Sequence, residues 1–184
     1  MMQKKSGQLI EMKKKRSRSV VVAIVAVVCL IVVAALVRSD SFQRTQYPPA
    51  YKFSLIDLDG QEFGLADYKG KVVILNFMSL CDLCREQAGE LNSVYDTYSG
   101  RVEIVSISMY AGEGSREQLL AFANSSNAEW KFAVDDIGVA VEYQVQRIPM
   151  TVIVDQDGFI RFTHVGLTST ATITSEVETL LNEA

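Results

Sequence analysis

Two cysteines separated by two residues, Cys81-Asp82-Leu83-Cys84, are the groups in this 184-residue sequence best suited to covalent chemistry. An apolar run, Val72 to Phe77, ends just before them, and a segment with helical spacing follows. In that setting the first cysteine stands at a helix N-terminus. Free N–H groups and the positive end of the helix dipole there favour a thiolate over a thiol. The second cysteine stands one turn further on, within reach of a disulfide to the first. A Cys-x-x-Cys pair beside a strand–helix unit reads as a redox motif. As a structural staple it would do little, because so short a loop removes little chain entropy. Zinc usually takes four ligands, whereas the sequence offers one histidine, His164, and one further cysteine, Cys29, inside an apolar run. No metal site and no cofactor beyond the redox-active disulfide are expected.

The elements that must position this pair can be read around it. Val72 to Phe77 shows no period-two alternation, which fits a strand buried on both faces. Ala88, Leu91, Val94, Tyr95 and Tyr98 give the following helix an apolar face, and Gly100 ends it. Arg101 to Met109 alternates into a second strand. Ser115 opens a helix with Leu119, Leu120 and Phe122 inward, and Ser115 to Gln118 has capping-box spacing. A strand at Trp130 to Val134 and a brief helix around Ile137 to Tyr143 come next. Strands at Val152 to Val154 and Phe159 to Val165 flank the Asp157-Gly158 turn, and Thr168 to Leu181 makes a last helix. Asp59-Gly60 predicts a hairpin ahead of the central strand. Asp157-Gly158 is too short for a crossover, so its strands pair antiparallel and the α/β sheet is mixed.

The charge is unevenly spread. Residues 1–19 carry seven basic side chains against Glu11, a net +6, so the rest of the −4 chain carries −10. An acidic folded part argues against nucleic acid as a partner. Val20 to Val37 holds no charge and spans about 27 Å as a helix, close to a bilayer's hydrocarbon thickness. The basic flank precedes it, which predicts a cytoplasmic N-terminus and a folded part on the outer side. The expected organisation is a basic cytoplasmic tail (1–19), a single transmembrane anchor (20–37), a linker ending in Pro48-Pro49 (38–50) and one domain (51–184). Outside the membrane, disulfides form and persist.

The segments GQEFGLADYKGKVVILNF, CDLCREQ and RIPMTVIVDQDGFI resemble the membrane-anchored thioredoxin-fold proteins of the TlpA/ResA type. The likeness runs from about Tyr51 to Leu181, and it rests on two motifs in register, Cys-x-x-Cys and Ile148-Pro149-Met150-Thr151. It implies a thioredoxin-like domain acting as a thiol–disulfide oxidoreductase. By this resemblance Cys81 attacks and Cys84 resolves. Pro149 is the cis-proline facing them, and the Ile148 backbone pairs with the bound partner. The implied partners are a disulfide-bearing protein substrate and a membrane-embedded thiol electron donor. The implied work is reduction in cytochrome c maturation or a related thiol transfer.

The chain also departs from that pattern. Leu80 stands where the family usually has Trp, the dipeptide between the cysteines lacks proline, and Asn76 is nearest to the place where thioredoxins keep a buried carboxylate. A Sco-type copper-delivery protein would carry Cys-x-x-x-Cys and a histidine ahead of the Asp-Gly turn, and this sequence has neither. A peroxidase on this fold would want Thr three residues before its cysteine, where Met78 stands. A redox-inert partner-binding domain is the third alternative. Trp130 and the phenylalanines at 53, 63, 77 and 132 read as core.

Overall fold

The computed structural model describes residues 25–33 and 46–183. Residues 25–33 are helical with exposed side chains. Among the described residues no helix is long and apolar enough to cross a membrane. The 1–19 tail, the rest of the expected 20–37 anchor and the linker up to residue 45 lie outside the described residues.

A second compact unit begins at Tyr47. Its first elements are β1 (Ser54–Ile56) and β2 (Glu62–Gly64), paired antiparallel around the expected turn, where Gly60 takes φ +82°. A 3₁₀ turn over Leu65–Tyr68 leads into β3 (Val72–Met78), which is buried at every position. The chain continues through α1 (Asp82–Tyr98), β4 (Val102–Ser108), α2 (Ser115–Ser125), β5 (Lys131–Val134) and α3 (Val139–Glu142). It ends with β6 (Met150–Val154), β7 (Ile160–Val165) and α4 (Thr170–Asn182). Five strands form one sheet in the order β5-β4-β3-β6-β7. The β3–β4 and β4–β5 pairs are parallel, and β3–β6 and β6–β7 are antiparallel, so the sheet is mixed as expected. Long crossovers through α1 and α2 allow the two parallel pairs, and the Asp157-Gly158 turn dictates the antiparallel β6–β7 pair.

Side chains of β3 alternate between two cores. Val72, Ile74 and Met78 pack with Leu91 and Val94 of α1, Leu119 of α2 and Ile173 and Val177 of α4. Val73, Leu75 and Phe77 pack on the other face with Phe53, Leu55 and Phe63 of the hairpin and Val139 of α3. Both edges of the sheet are covered in part. Asp57 bridges to Ala133 and Leu58 N–H donates to Phe132 O (3.1 Å), laying the hairpin along β5. On the other side Ile160 N–H donates to Pro48 O and Ala50 N–H to Gly158 O, both at 2.9 Å. Pro48 to Ala50, read as linker, therefore lie along the start of β7.

Four local expectations are corrected. The helix starting at Ser115 is not capped by that serine: Gly114 is the N-cap at φ +71°, and no side chain caps the end. A capping box needs the serine itself at the cap, and the left-handed glycine has taken that place. Leu120 is 49% exposed, because the inward face of α2 is Leu119, Phe122 and Ala123. The second strand is buried at every position except the half-buried Glu103, so its apparent alternation reflects small buried serines and not a wet face. The last helix starts two residues later than expected, with Ser169 accepting Thr172 N–H as its N-cap.

Asp57 anchors the hairpin. It is 2% exposed, accepts from Asp59 N–H (3.0 Å) and Gln61 N–H (2.8 Å), and pairs with the Lys131 ammonium. Burial works to raise its carboxyl, but Lys131 and the two amide donors outweigh burial and hold it below the ordinary 3.8. A carboxyl depressed in the folded state stabilises fully above its unfolded value and loses that stability as pH falls through the folded one. Asp57→Asn should therefore cost about 2 kcal/mol at pH 7. Urea melts at pH 7 and pH 3 check this: the gap between wild type and variant should narrow at the lower pH.

Candidate active site

Cys81 is the N-cap of α1, in extended conformation with φ −89° and ψ 158°, and Cys84 is the third helical residue. The two are joined by a disulfide with their Cα atoms 5.1 Å apart. β3 delivers them: its last residue is Met78, and the helix begins after three intervening residues. The Cys84 N–H donates to Cys81 Sγ at 3.1 Å, so the sulfur occupies the position of a capping oxygen. Such a sulfur, once reduced, has a backbone donor and the helix dipole to hold it as thiolate. Cys84 differs. It is 0% exposed, with Ser79 N–H 3.5 Å from its Sγ, whereas Cys81 is half-buried beside the core.

The Ile148–Pro149 peptide is cis, as the resemblance implied. The register Phe77↔Met150 puts this peptide at the same end of the sheet as the loop that carries Cys81. Pro149 is buried and Ile148 half-buried, and Ile148, Leu80 and Cys81 pack against the same core cluster. The structure thus brings all four expected site residues to one end of the sheet. Asp82 and Leu83 are exposed between the cysteines. Arg85 is turned away to α2, donating to Ser125 Oγ (2.6 Å) with its guanidinium over the Phe122 ring. Arg147 is exposed.

The buried polar groups behind the disulfide are uncharged. Asn76 is 1% exposed and donates to Ser106 Oγ (3.1 Å), which also accepts from Trp130 Nε1 (2.9 Å). Asn76 Oδ1 and the hydroxyl of Thr151, its cross-strand neighbour, have no hydrogen-bond partner. His164 on β7 is half-buried and lies 2.9 Å from a Glu176 carboxylate oxygen of α4. Among the described residues no cluster of His, Cys, Asp and Glu is arranged to hold a metal ion.

Sequence reasoning passed over Gln87. It is 0% exposed, and its carboxamide both donates to Thr168 O (3.1 Å) and accepts from Thr168 N–H (2.7 Å). One turn on, the hydroxyl and N–H of Thr170 hold the Glu90 carboxyl below the usual carboxylate range. The signal was present: Gln87 sits on the same stripe as Cys84, Ala88 and Leu91, a polar residue in an apolar face.

The AhpC/TSA family model matches residues 48–163. The thioredoxin-like protein YneN of Bacillus subtilis is 33% identical over 115 residues, 62% of this chain and 68% of that one. The thiol-disulfide oxidoreductase ResA of Geobacillus kaustophilus is 28% identical over 155 residues, 80% of this chain and 87% of the relative. Among solved structures, the thioredoxin domain of a thiol-disulfide oxidoreductase from Bacteroides vulgatus superposes with TM-score 0.61 at 25% identity, covering 70% of this chain and 95% of that one.

The burial contrast predicts which sulfur reacts. In the reduced protein at pH 7, a brief pulse of iodoacetamide should label Cys81 and spare Cys84, read by mass spectrometry of the peptides. Labelling of Cys84 first would reverse the roles.

Proposed function

The chain belongs to the AhpC/TSA family and is a TlpA/ResA-like thiol–disulfide oxidoreductase of thioredoxin fold, and from that premise we propose that it reduces disulfides of protein partners on the outer side of a membrane. Residues 20–37 anchor it in this reading, with the basic residues before them kept in the cytoplasm. The partners are of the cytochrome c maturation type or carry out related thiol transfers, and a membrane-embedded thiol donor restores the reduced pair. No cofactor is needed beyond the disulfide.

The observation that carries the reading is the asymmetry of the pair, one sulfur at a helix cap with a backbone donor and one shielded. The Cys81 thiolate attacks one sulfur of the partner disulfide, and the other partner sulfur leaves as thiolate. A mixed disulfide now joins Cys81 to the partner. The Cys84 thiolate then attacks Cys81 Sγ, and the second partner sulfur leaves. Two electrons have passed to the partner, and Cys81–Cys84 is left oxidised. The Ile148 backbone, beside the cis peptide, offers the partner's extended chain a pairing edge in this scheme.

The reducing direction follows from thiolate stability. Strong oxidants owe their potential to a stabilised reduced form, with a very low pKa at the first cysteine. Here the neighbouring side chain is the acidic Asp82, and the nearest cation on α1, Arg85, is committed to α2.

Two experiments test this. A Cys84→Ser form expressed in its native membrane should accumulate a mixed disulfide through Cys81 with a disulfide-bearing partner, seen as a reductant-sensitive band; absence of any adduct argues for a redox-inert binding domain. Redox titration of the purified chain should give a potential well below the oxidase end of the scale, about −120 mV. Asp82→Asn should raise it by some tens of millivolts, about 30 mV for each 1.4 kcal/mol of lost repulsion.

A further inference from the structure

We propose that Gln87 is a positioning residue for the Cys81–Cys84 site, acting through the segment 166–170 to hold the Ile148–Pro149 peptide in place for a protein substrate; this rests on the thiol–disulfide exchange reading above. Gln87 follows Cys84 by one helical turn on the same buried face of α1, and both residues are 0% exposed. Its carboxamide makes a two-way pair with the backbone of Thr168, one bond of 3.1 Å and one of 2.7 Å. A side chain that both donates and accepts at this reach is a carboxamide; a carboxylate lacks the donor and an ammonium the acceptor. Thr168 is 6% exposed, which leaves its backbone groups little access to water if the pair is lost.

The other end of the segment reaches the cis peptide. Gly166 N–H donates to Pro149 O at 2.8 Å, directly beyond the last ladder pair of β6 and β7, Met150↔Val165. Gly166 takes φ +96°, a conformation glycine enters without steric cost, and this lets the chain leave the ladder and turn toward α1. Glu90, one turn beyond Gln87, accepts the Thr170 N–H and hydroxyl, each at 2.6 Å. The segment is thus clamped to the cysteine-bearing helix at Thr168 and Thr170 and to the Pro149 carbonyl at Gly166. A continuous path of covalent and hydrogen bonds runs from Cys84 along one turn of α1 to Gln87, across to Thr168, and back through Gly166 to Pro149. Releasing the clamp at Gln87 frees the Pro149 side of the site to shift against the sulfurs. A partner that must pair with the Ile148 backbone while its disulfide meets Cys81 depends on that spacing. A small disulfide that meets only the sulfur does not.

The test compares two oxidants with the fully reduced full chain in detergent micelles: insulin as a protein disulfide, and hydroxyethyl disulfide as one without a peptide. Gln87→Met keeps the length and removes both hydrogen bonds. It should raise the half-saturating insulin concentration about tenfold while the rate with hydroxyethyl disulfide stays within about twofold. In parallel, hydrogen exchange should show the Gly166 amide losing protection in the variant while the amides of β3 keep theirs. Equal losses with both oxidants, or no change with either, overturn the proposal while wild-type activity leaves the oxidoreductase reading standing. A wild type that reduces neither oxidant overturns that reading instead, and the Gly166 amide then decides alone: protection lost on substitution supports the brace, protection kept refutes it. Should Gln87→Met fail to fold, Gln87→Glu carries the same measurements, since it keeps the acceptor for Thr168 N–H and lacks the donor for Thr168 O.

Discussion

Burial of β3 on both faces is the constraint on which the other elements depend. A strand without access to water must have its backbone groups paired along its length, and β4 and β6 supply that pairing on its two sides. Its side chains must then be covered twice. α1, α2 and α4 do this on one face, the hairpin and α3 on the other. The chain regains solvent only after Met78, whose carbonyl accepts Met109 N–H at 2.9 Å. The first residues free to react with anything outside are those between Met78 and the helix. A site at the carboxyl end of the central strand is the usual outcome of this architecture, and here it follows from where burial stops.

Within that buried layer the polar residues are neutral and only partly satisfied. Ser106 draws Asn76 and Trp130 together, yet Asn76 Oδ1 and the Thr151 hydroxyl stand in the same layer without partners. An unsatisfied buried group costs about 1–3 kcal/mol. β3 itself carries no carboxylate, and Cys84 packs into the apolar cluster on the same face.

Much of this was legible in the residues. A non-alternating apolar run, a Cys-x-x-Cys and a later Ile-Pro-x-Thr were enough for the central strand, the cysteine helix and the partner strand, because each signal is local. The hairpin was legible for the same reason, through Asp59-Gly60. Local spacing misled where a backbone conformation took the place of a side chain, as when Gly114 capped α2 ahead of Ser115. It also failed for Leu120, which the fold leaves facing outward. Gln87 was legible only as a polar residue in an apolar stripe, because its partner, Thr168, lies 81 residues away. Pairings between distant segments are set by the packed whole, and no periodicity along the chain announces them.

The covering of the sheet's two edges bears on how this protein behaves in a crowd. A row of unpaired backbone groups at an edge is a template for strand addition and for growth into aggregates. Asp57 and Leu58 occupy that row on β5, and Pro48 to Ala50 occupy its start on β7. The second cover is made by Pro48 to Ala50, at the start of the domain. Proline is well suited to it, because it has no N–H to offer a further strand. The same few residues thus occupy backbone groups at the start of β7 that another strand could otherwise pair with, and a fragment beginning at residue 51 would leave them open.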